Sequence, residues 1–218
     1  MNDVISFVQQ IIQASLEKSP EEMLGETLNM LTELCGAKGG MILGEEGMNL
    51  AVLYSYSTPA TGTLVPWEST GGRSISKGVG VYTTELENEP LYQQIETGAG
   101  QRWLLTIPIP SVHQEEGGTQ GRFTSALQLL LDENYFVDFG VPAQGGTKEV
   151  DFKTLQQKAT TDERLADVFV VLPTVSFSME VKKLRRTAYH ALHEVKNKLL
   201  LTNSWLQCLR QDMQDVAP

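Results

Sequence analysis

The sequence predicts an α+β fold, an antiparallel sheet with flanking helices followed by a long C-terminal helix of coiled-coil type. All 19 glycines lie at or before Gly146, and beyond it the only prolines are Pro173 and Pro218. Because turns need these residues and helices exclude them, the first two-thirds is turn-rich and the rest mainly helical. Strand patterns joined by turns occupy the middle of the chain, with helical patterns on both sides. From Phe177 onward apolar residues recur in steps of three and four.

Length and charge limit the classes of function. The chain has 218 residues, 41% of them hydrophobic and 20% charged, which fits one or two folded domains. A net charge of −10 argues against nucleic acid and anionic membranes as partners. We see no signal peptide and no apolar run long enough for a membrane span, so we expect a cytoplasmic protein. Two cysteines, Cys35 and Cys208, are too few for a disulfide framework or a zinc site, and we predict no metal.

The N-terminal region predicts two helices. Apolar residues from Val4 to Leu16 recur at helical spacing and indicate the first. Ser19 and Glu22 form a capping-box pattern with Pro20 between them, which predicts that the second helix begins there. Gly36 should end this helix. Its expected buried face consists of Leu24, Leu28, Leu31 and Cys35.

The middle of the chain predicts the sheet. Two strands are expected at Met41–Leu43 and Asn49–Ser57, joined by a turn at Gly44–Gly47. The polar stretch Thr58–Gly80 is expected to loop over the sheet, and residues 81–97 to form a short helix or two, interrupted at Pro90. The strongest strand patterns are Arg102–Ile109 and Phe123–Leu131, joined by a hairpin tip at residues 113–121, with an irregular stretch at 132–146.

Helices should resume near Val150. Thr160 and Glu163 offer a second capping box, and Pro173 should kink or break the helix that contains it. The order of elements favours hairpin-connected strands with helices grouped at the two chain ends. We therefore expect helices to cover one face of the sheet.

Three stretches make residues 20–175 similar to a GAF domain. They are MLGETLNMLTELCGAKGGMILGEEG, the SKGVG segment (76–80) followed by Asn88-Glu89-Pro90, and WLLTIPIP with GRFTSALQLLL. The resemblance implies a sensory or dimerising module, which we predict to span residues 1–175. It does not identify a ligand, so any cofactor is unknown. Five aromatic residues either line a pocket for a small ligand or pack in the core and loops: Tyr54, Tyr56, Trp67, Tyr82 and Trp103.

Residues 176–218 predict a dimerising helix. The seam positions are 177, 181, 184, 188, 191, 195, 199, 202, 206, 209, 213 and 216, all apolar except Thr202, and they form a heptad seam with one stutter between 191 and 199. Such a stripe needs a partner to cover it, and the natural partner is a second copy in a parallel homodimer.

The segment from His193 to Asn197, HEVKN, is similar to the H-box of sensor histidine kinases. That resemblance implies that His193 accepts a phosphoryl group, that Glu194 orients the imidazole and takes up its proton, and that Asn197 positions the reacting groups. On a helical wheel His193 lies roughly 150° from the centre of the apolar stripe, so it should face solvent as a phosphoacceptor must. His190 lacks these partners and is interpreted as a surface residue.

The predicted function is therefore the sensor part of a two-component phosphorelay, with the kinase ATP-binding domain and the response-regulator receiver acting in trans. No glycine after Gly146 is available to cradle a nucleotide phosphate, and we expect this chain alone not to autophosphorylate. It would be a part of a longer kinase or a short protein phosphorylated in trans, or its H-box is vestigial. The alternative is a non-enzymatic GAF homodimer that binds a small ligand or a protein. A redox enzyme would need a reactive cysteine.

Overall fold

The computed structural model describes residues 19–56, 61–89, 103–111, 123–131 and 146–215, with side chains to residue 207. The expected helix from Val4 to Leu16, the hairpin tip at 113–121 and nearly all of the irregular stretch at 132–146 lie outside these ranges. The chain divides into two compact units, and the boundary falls between Met179 and Glu180.

Four α-helices and seven strands make up the described part. In chain order they are α1 Pro20–Leu34, β1 Ala37–Glu46, β2 Asn49–Tyr56, β3 Leu64–Val65, α2 Thr70–Lys77, β4 Val79–Thr83, a single 3₁₀ turn Leu86–Asn88, β5 Trp103–Pro110, β6 Phe123–Leu131, β7 Thr147–Asp151, α3 Phe152–Ala159 and α4 Glu163–Asp215.

Helix α1 begins and ends as the sequence predicts. The Ser19 hydroxyl accepts a hydrogen bond from the Glu22 amide at 3.2 Å, and the Glu22 carboxylate accepts one from the Ser19 amide at 2.8 Å. This reciprocal capping box satisfies two amides that the helix leaves free. Gly36, with φ of 59°, turns the chain out of the helix. The predicted face is confirmed, since Leu24, Leu28, Leu31 and Cys35 are all at most 3% exposed.

The sheet is antiparallel throughout, in the order β3-β2-β1-β6-β5-β4-β7. Its central strand is β6, which pairs with β1 and β5. Strands β5 and β6 are the two that the sequence predicts most strongly, and their register sets Thr106 opposite Gln128. The α+β class with an antiparallel sheet, flanking helices and a long C-terminal helix is therefore confirmed.

Helices cover both faces of this sheet, so the expectation of one covered face is wrong. Along β1 the buried side chains alternate, with Ile42 in one core and Met41 and Leu43 in the other. The first core holds residues of α1, α3 and the first part of α4, and the second holds Ile75 of α2. A sheet buried on both faces gives near-continuous apolar strands, as β6 shows.

Helix α2 lies inside the stretch Thr58–Gly80 that was expected to be a loop. Its sequence TGGRSISK has two glycines and one apolar residue, so no helical periodicity reveals it. Gly72 is required by a close approach, because a Cβ at this position would clash with the Trp67 carbonyl oxygen. The Ser69 hydroxyl caps the helix through the Gly72 amide.

Further expected elements differ in their bounds or type. β1 runs through Gly44 to Glu46, so the turn before β2 is shorter than Gly44–Gly47 and contains Gly47 at φ 66°. The start of the 81–97 segment is strand β4 and a single 3₁₀ turn rather than a helix. Residues from Pro90 to 97 lie outside the described part. Strand β7, which the sequence does not predict, pairs with β4 before α3 begins.

Helix α4 begins at a different cap from the one expected. The Asp162 carboxylate accepts from the Leu165 amide at 3.0 Å, whereas Thr160 is the C-cap of α3. The capping box of Thr160 with Glu163 is therefore wrong. Pro173 lies inside α4 without breaking it. The ring removes one backbone hydrogen bond, and burial of the neighbouring Leu172 and Val175 holds the helix against the sheet.

Candidate functional site

The residues of the HEVKN segment, which resembles an H-box, lie on an exposed stretch of α4. Every residue from Lys183 to Gln207 is exposed, His193, Glu194 and Asn197 among them. The stretch forms a helix because it contains no Gly or Pro and is rich in Leu, a strong helix former. Helical spacing places residues four apart on one face, so the contacts of His193 come from the turns before and after it.

Asn197 is the polar partner of the His193 ring. Its carboxamide Nδ2 lies 3.2 Å from the imidazole Nδ1, one helical turn away. With the amide nitrogen toward the ring, Nδ1 accepts and the ring proton resides on Nε2. With the carboxamide rotated by half a turn, its oxygen accepts from Nδ1–H, and the Nε2 lone pair is left free to act as a nucleophile.

Glu194 faces a different partner. Its carboxylate lies 2.7 Å from the Lys198 ammonium, four residues further along the helix, and both side chains are about 70% exposed. In the described part of the chain no hydrogen bond joins Glu194 to His193. The structure therefore brings Asn197 to the imidazole and leaves Glu194 in an exposed ion pair with Lys198, which contributes little to stability.

Tyr189 is a contact that the sequence interpretation missed. Its ring centroid lies 6.3 Å from that of His193, with 30° between the planes, and 6.1 Å from that of His190 at 72°. The signal was available, since Tyr189 precedes His193 by one helical turn. The imidazole of His193 thus has an aromatic ring on the turn before it and a carboxamide on the turn after it.

Apolar side chains surround α4 just beyond the HEVKN segment. Five large residues are each more than half exposed: Leu199, Leu200, Leu201, Trp205 and Leu206. At 3.6 residues per turn they leave no gap wider than about 100° around the helix. Leu192, 70% exposed, stands in heptad register with Val195 and Leu199. A seam through Leu192 instead of Ala191 still contains one stutter, because the steps from Leu184 to Ala188 and from Ala188 to Leu192 are both four residues.

A second polar feature is buried between α2 and the sheet. Gln128 Nε2 donates to the hydroxyls of Thr70 at 2.8 Å and Thr106 at 3.1 Å, and Thr106 donates to Thr70 at 3.2 Å. The Thr70 amide and hydroxyl both bond to the Glu89 carboxylate. These four side chains are at most 4% exposed. We call them the Thr70 network.

The Thr70 network has one unsatisfied atom. Since the Thr70 hydroxyl donates to Glu89, it can only accept from Gln128, which fixes the Gln128 amide with its nitrogen toward the threonines. The opposite atom, Gln128 Oε1, is buried without a hydrogen-bond partner. Burial raises the pKa of Glu89, and the bonds from Thr70 and the charge of Arg73 oppose that rise.

The five aromatic residues do not form one pocket. Tyr82 and Trp103 stack at 5.4 Å in the core beside α1 and α4, and Tyr54 packs against the same core. Tyr56 and Trp67 are exposed, and the Trp67 indole donates to the Met48 carbonyl at 3.3 Å. Of the two interpretations offered by the sequence, packing accounts for these contacts.

Cys35 is not poised for redox chemistry. It is 3% exposed, and burial together with the charge of Asp167 raises the pKa of its thiol to about 12. Little thiolate is therefore present at neutral pH. The side chain of Cys208 lies outside the described part. Within the described residues there is no group of three or more potential metal ligands, and none of the helices is long and apolar enough to cross a membrane.

Comparison with solved structures identifies the fold. The GAF domain of a phosphoenolpyruvate-protein phosphotransferase from Acinetobacter matches with a TM-score of 0.54 and 10% identity, over 84% of this chain and 96% of that one. The corresponding GAF domain (ptsP) from Coxiella burnetii gives 0.54 and 12%, over 84% and 96%. The nlh2 GAF domain of A. aeolicus, in an inactive state, gives 0.52 and 14%, over 83% and 95%.

These likenesses show that the chain has a GAF fold, as the sequence resemblance implies. At 10–14% identity they concern the fold alone. No family model matches the chain, and no curated protein matches it by sequence.

Proposed function

We propose that the chain is the sensor and phosphoacceptor part of a two-component phosphorelay, with His193 as the residue that takes the phosphoryl group. The observation that carries this proposal is the exposed His193 with the Asn197 carboxamide 3.2 Å from its Nδ1. Two of the solved neighbours are, by their names, GAF domains of phosphotransferases, so the fold occurs in proteins that transfer phosphoryl groups.

The chemistry needs a neutral imidazole with one free nitrogen. When the Asn197 oxygen accepts from Nδ1–H, the Nε2 lone pair can attack the γ-phosphorus of ATP held by a kinase domain in trans. An N–P bond forms as the bond between the γ-phosphorus and the leaving ADP oxygen breaks. The ring becomes positively charged, so the Nδ1 proton becomes more acidic, and it either stays hydrogen-bonded to the Asn197 oxygen or passes to a base. Glu194 can serve as that base once it leaves Lys198. Only an exposed ion pair, which contributes little energy, holds the two side chains together.

The exposed apolar residues support an assembly of helices. A parallel homodimer would cover one stripe through Leu192, Val195 and Leu199. It would leave Leu201 and Trp205 in water, and a helix that is apolar all round is normally enclosed. We therefore propose a homodimer in which further helices enclose the segment from Leu199 to Leu206, together with a receiver that approaches the His193 face.

The direct test is phosphoramidate labelling of the full chain at neutral pH, with site mapping by mass spectrometry. We expect acid-labile label to appear at His193 faster than at His190 or His113. His193→Gln should abolish that label and leave helix content and oligomeric state unchanged, because the side chain is exposed. Asn197→Ala should slow labelling at His193, whereas Asn203→Ala, on the same exposed helix without a ring contact, should not. Equal rates at the three histidines would contradict the proposal.

The alternative, a non-enzymatic GAF homodimer, is favoured by one observation. The buried Gln128 Oε1 lacks a donor, and a small ligand with an N–H or O–H group would supply it. Under this alternative Gln128→Leu would abolish ligand binding, and labelling at His193 would not exceed that at His113.

A further inference from the structure

We infer that Tyr189 is a positioning residue for His193, an inference that rests on the proposed function. The two rings lie 6.3 Å apart at 30°, within the range of offset stacked pairs. Tyr189 is itself 67% exposed and packs in no core, so the ring contact is not a by-product of burial.

The geometry leaves one part of the imidazole open. Tyr189 restricts the ring from the preceding turn, and Asn197 contacts Nδ1 from the following turn. Nε2 has no hydrogen-bond partner within the described residues. An exposed histidine samples several rotamers, and only those with Nε2 outward present a nucleophile to a phosphodonor. The contacts with Tyr189 and Asn197, from opposite turns, favour a rotamer of His193 with Nε2 outward before the phosphodonor arrives.

The size of the effect follows from the type of contact. Side-chain pairs at this spacing on an exposed helix are worth about 0.2–0.5 kcal/mol, which corresponds to at most about a twofold change in rotamer population. We therefore expect Tyr189→Leu, which keeps an apolar helix-forming residue but removes the ring, to lower the labelling rate at His193 by about twofold. Tyr189→Phe keeps the ring and should retain the full rate.

The experiment measures rotamers as well as rates in the full chain. NMR couplings and ring-proton shifts of His193 report its χ1 populations, and phosphoramidate labelling reports the rate. Tyr189→Leu should broaden the χ1 distribution and slow labelling at His193 with no change at His113, and Tyr189→Phe should restore both. His190 is not a control, because its ring also contacts Tyr189.

The outcomes separate this inference from the proposed function. If Tyr189→Leu leaves the χ1 populations of His193 as they are, or if Tyr189→Phe fails to restore them, the inference is wrong whatever the labelling rates. If the populations change as expected but His193 of the unchanged chain labels no faster than His113, positioning is supported and the phosphoacceptor function is overturned. Far-UV circular dichroism checks that helix content is equal in all three chains.

Discussion

Replacing Thr70 by Val should destabilise the protein through the loss of a single buried oxygen. Val keeps the branched shape, and the backbone bond from residue 70 to Glu89 remains at 2.9 Å. The hydroxyl, however, accepts from Gln128 and Thr106 and donates to Glu89. The substitution therefore removes three hydrogen bonds at a site that is 1% exposed.

The magnitude follows from the kind of each bond. The two neutral bonds are worth about 1 kcal/mol each and the bond to the carboxyl about 1.5–3 kcal/mol. Burial of the added methyl returns about 1 kcal/mol. The expected net loss in free energy of unfolding is thus about 2.5–4 kcal/mol, a large share of the stability of an ordinary domain.

Urea unfolding followed by tryptophan fluorescence measures this loss. Thr106→Val removes neutral bonds alone and should cost less, about 1–2 kcal/mol. Thr187→Val on the exposed part of α4 is the matched control and should lie within about 0.5 kcal/mol of the unchanged chain. If Thr70→Val costs no more than Thr187→Val, or less than Thr106→Val, the order of donors and acceptors in the Thr70 network is refuted.

Three further predictions concern stability. Burial raises the pKa of Glu89 above its ordinary 4.5, so the folded protein holds the carboxyl proton to higher pH than the unfolded chain does. The protonated Glu89 therefore contributes stability that is fully present below pH 4.5 and is lost as the pH rises through the pKa of the folded state. Glu89→Gln should abolish that part of the fall, and urea titrations between pH 4 and 8 that run parallel for the two proteins would contradict it. Gly72→Ala should lower the free energy of unfolding by about 1–3 kcal/mol or more, because the new Cβ meets the Trp67 backbone. Gly25→Ala, whose Cβ would meet nothing within 4 Å, should raise it by about 1 kcal/mol. Equal midpoints of the two variants in thermal unfolding would be evidence against this packing. Ser19→Ala should cost about 1 kcal/mol through loss of the capping box, and Ser19→Asp, which can still cap, should recover most of it in the same assay.

Local patterns in the sequence were sufficient for the elements whose causes are local. The start of α1 depends on residues within one helical turn, and Ser19 with Glu22 predicts it correctly. Strands β5 and β6 are long apolar runs, a pattern that predicts buried strands from the local sequence alone. The contact between His193 and Asn197 likewise follows from a spacing of four on a helix.

The errors concern elements that tertiary contacts decide. Helix α2 has little helical propensity of its own, and its glycines allow close contacts, Gly71 with Leu43 of β1 and Gly72 with the Trp67 backbone. The polar strand β7 is held by pairing with β4, a partner more than 60 residues away that no local pattern reveals. The Thr70 network joins α2, two strands and Glu89, the residue after the 3₁₀ turn, so sequence spacing could not have indicated it.

The position of His193 and the exposed apolar segment beyond it point to the same requirement. An isolated helix gains little stability from propensity, and most helical stability comes from packing of an apolar face. From Leu199 to Leu206 the packing partners must come from outside the described residues, because each large side chain there is more than half exposed. Under the proposed function, a kinase domain in trans supplies the groups that activate the phosphodonor at His193. Under the proposed function, α4 is one component of a larger phosphotransfer assembly, and the helices of that assembly would enclose the exposed apolar residues from Leu199 to Leu206.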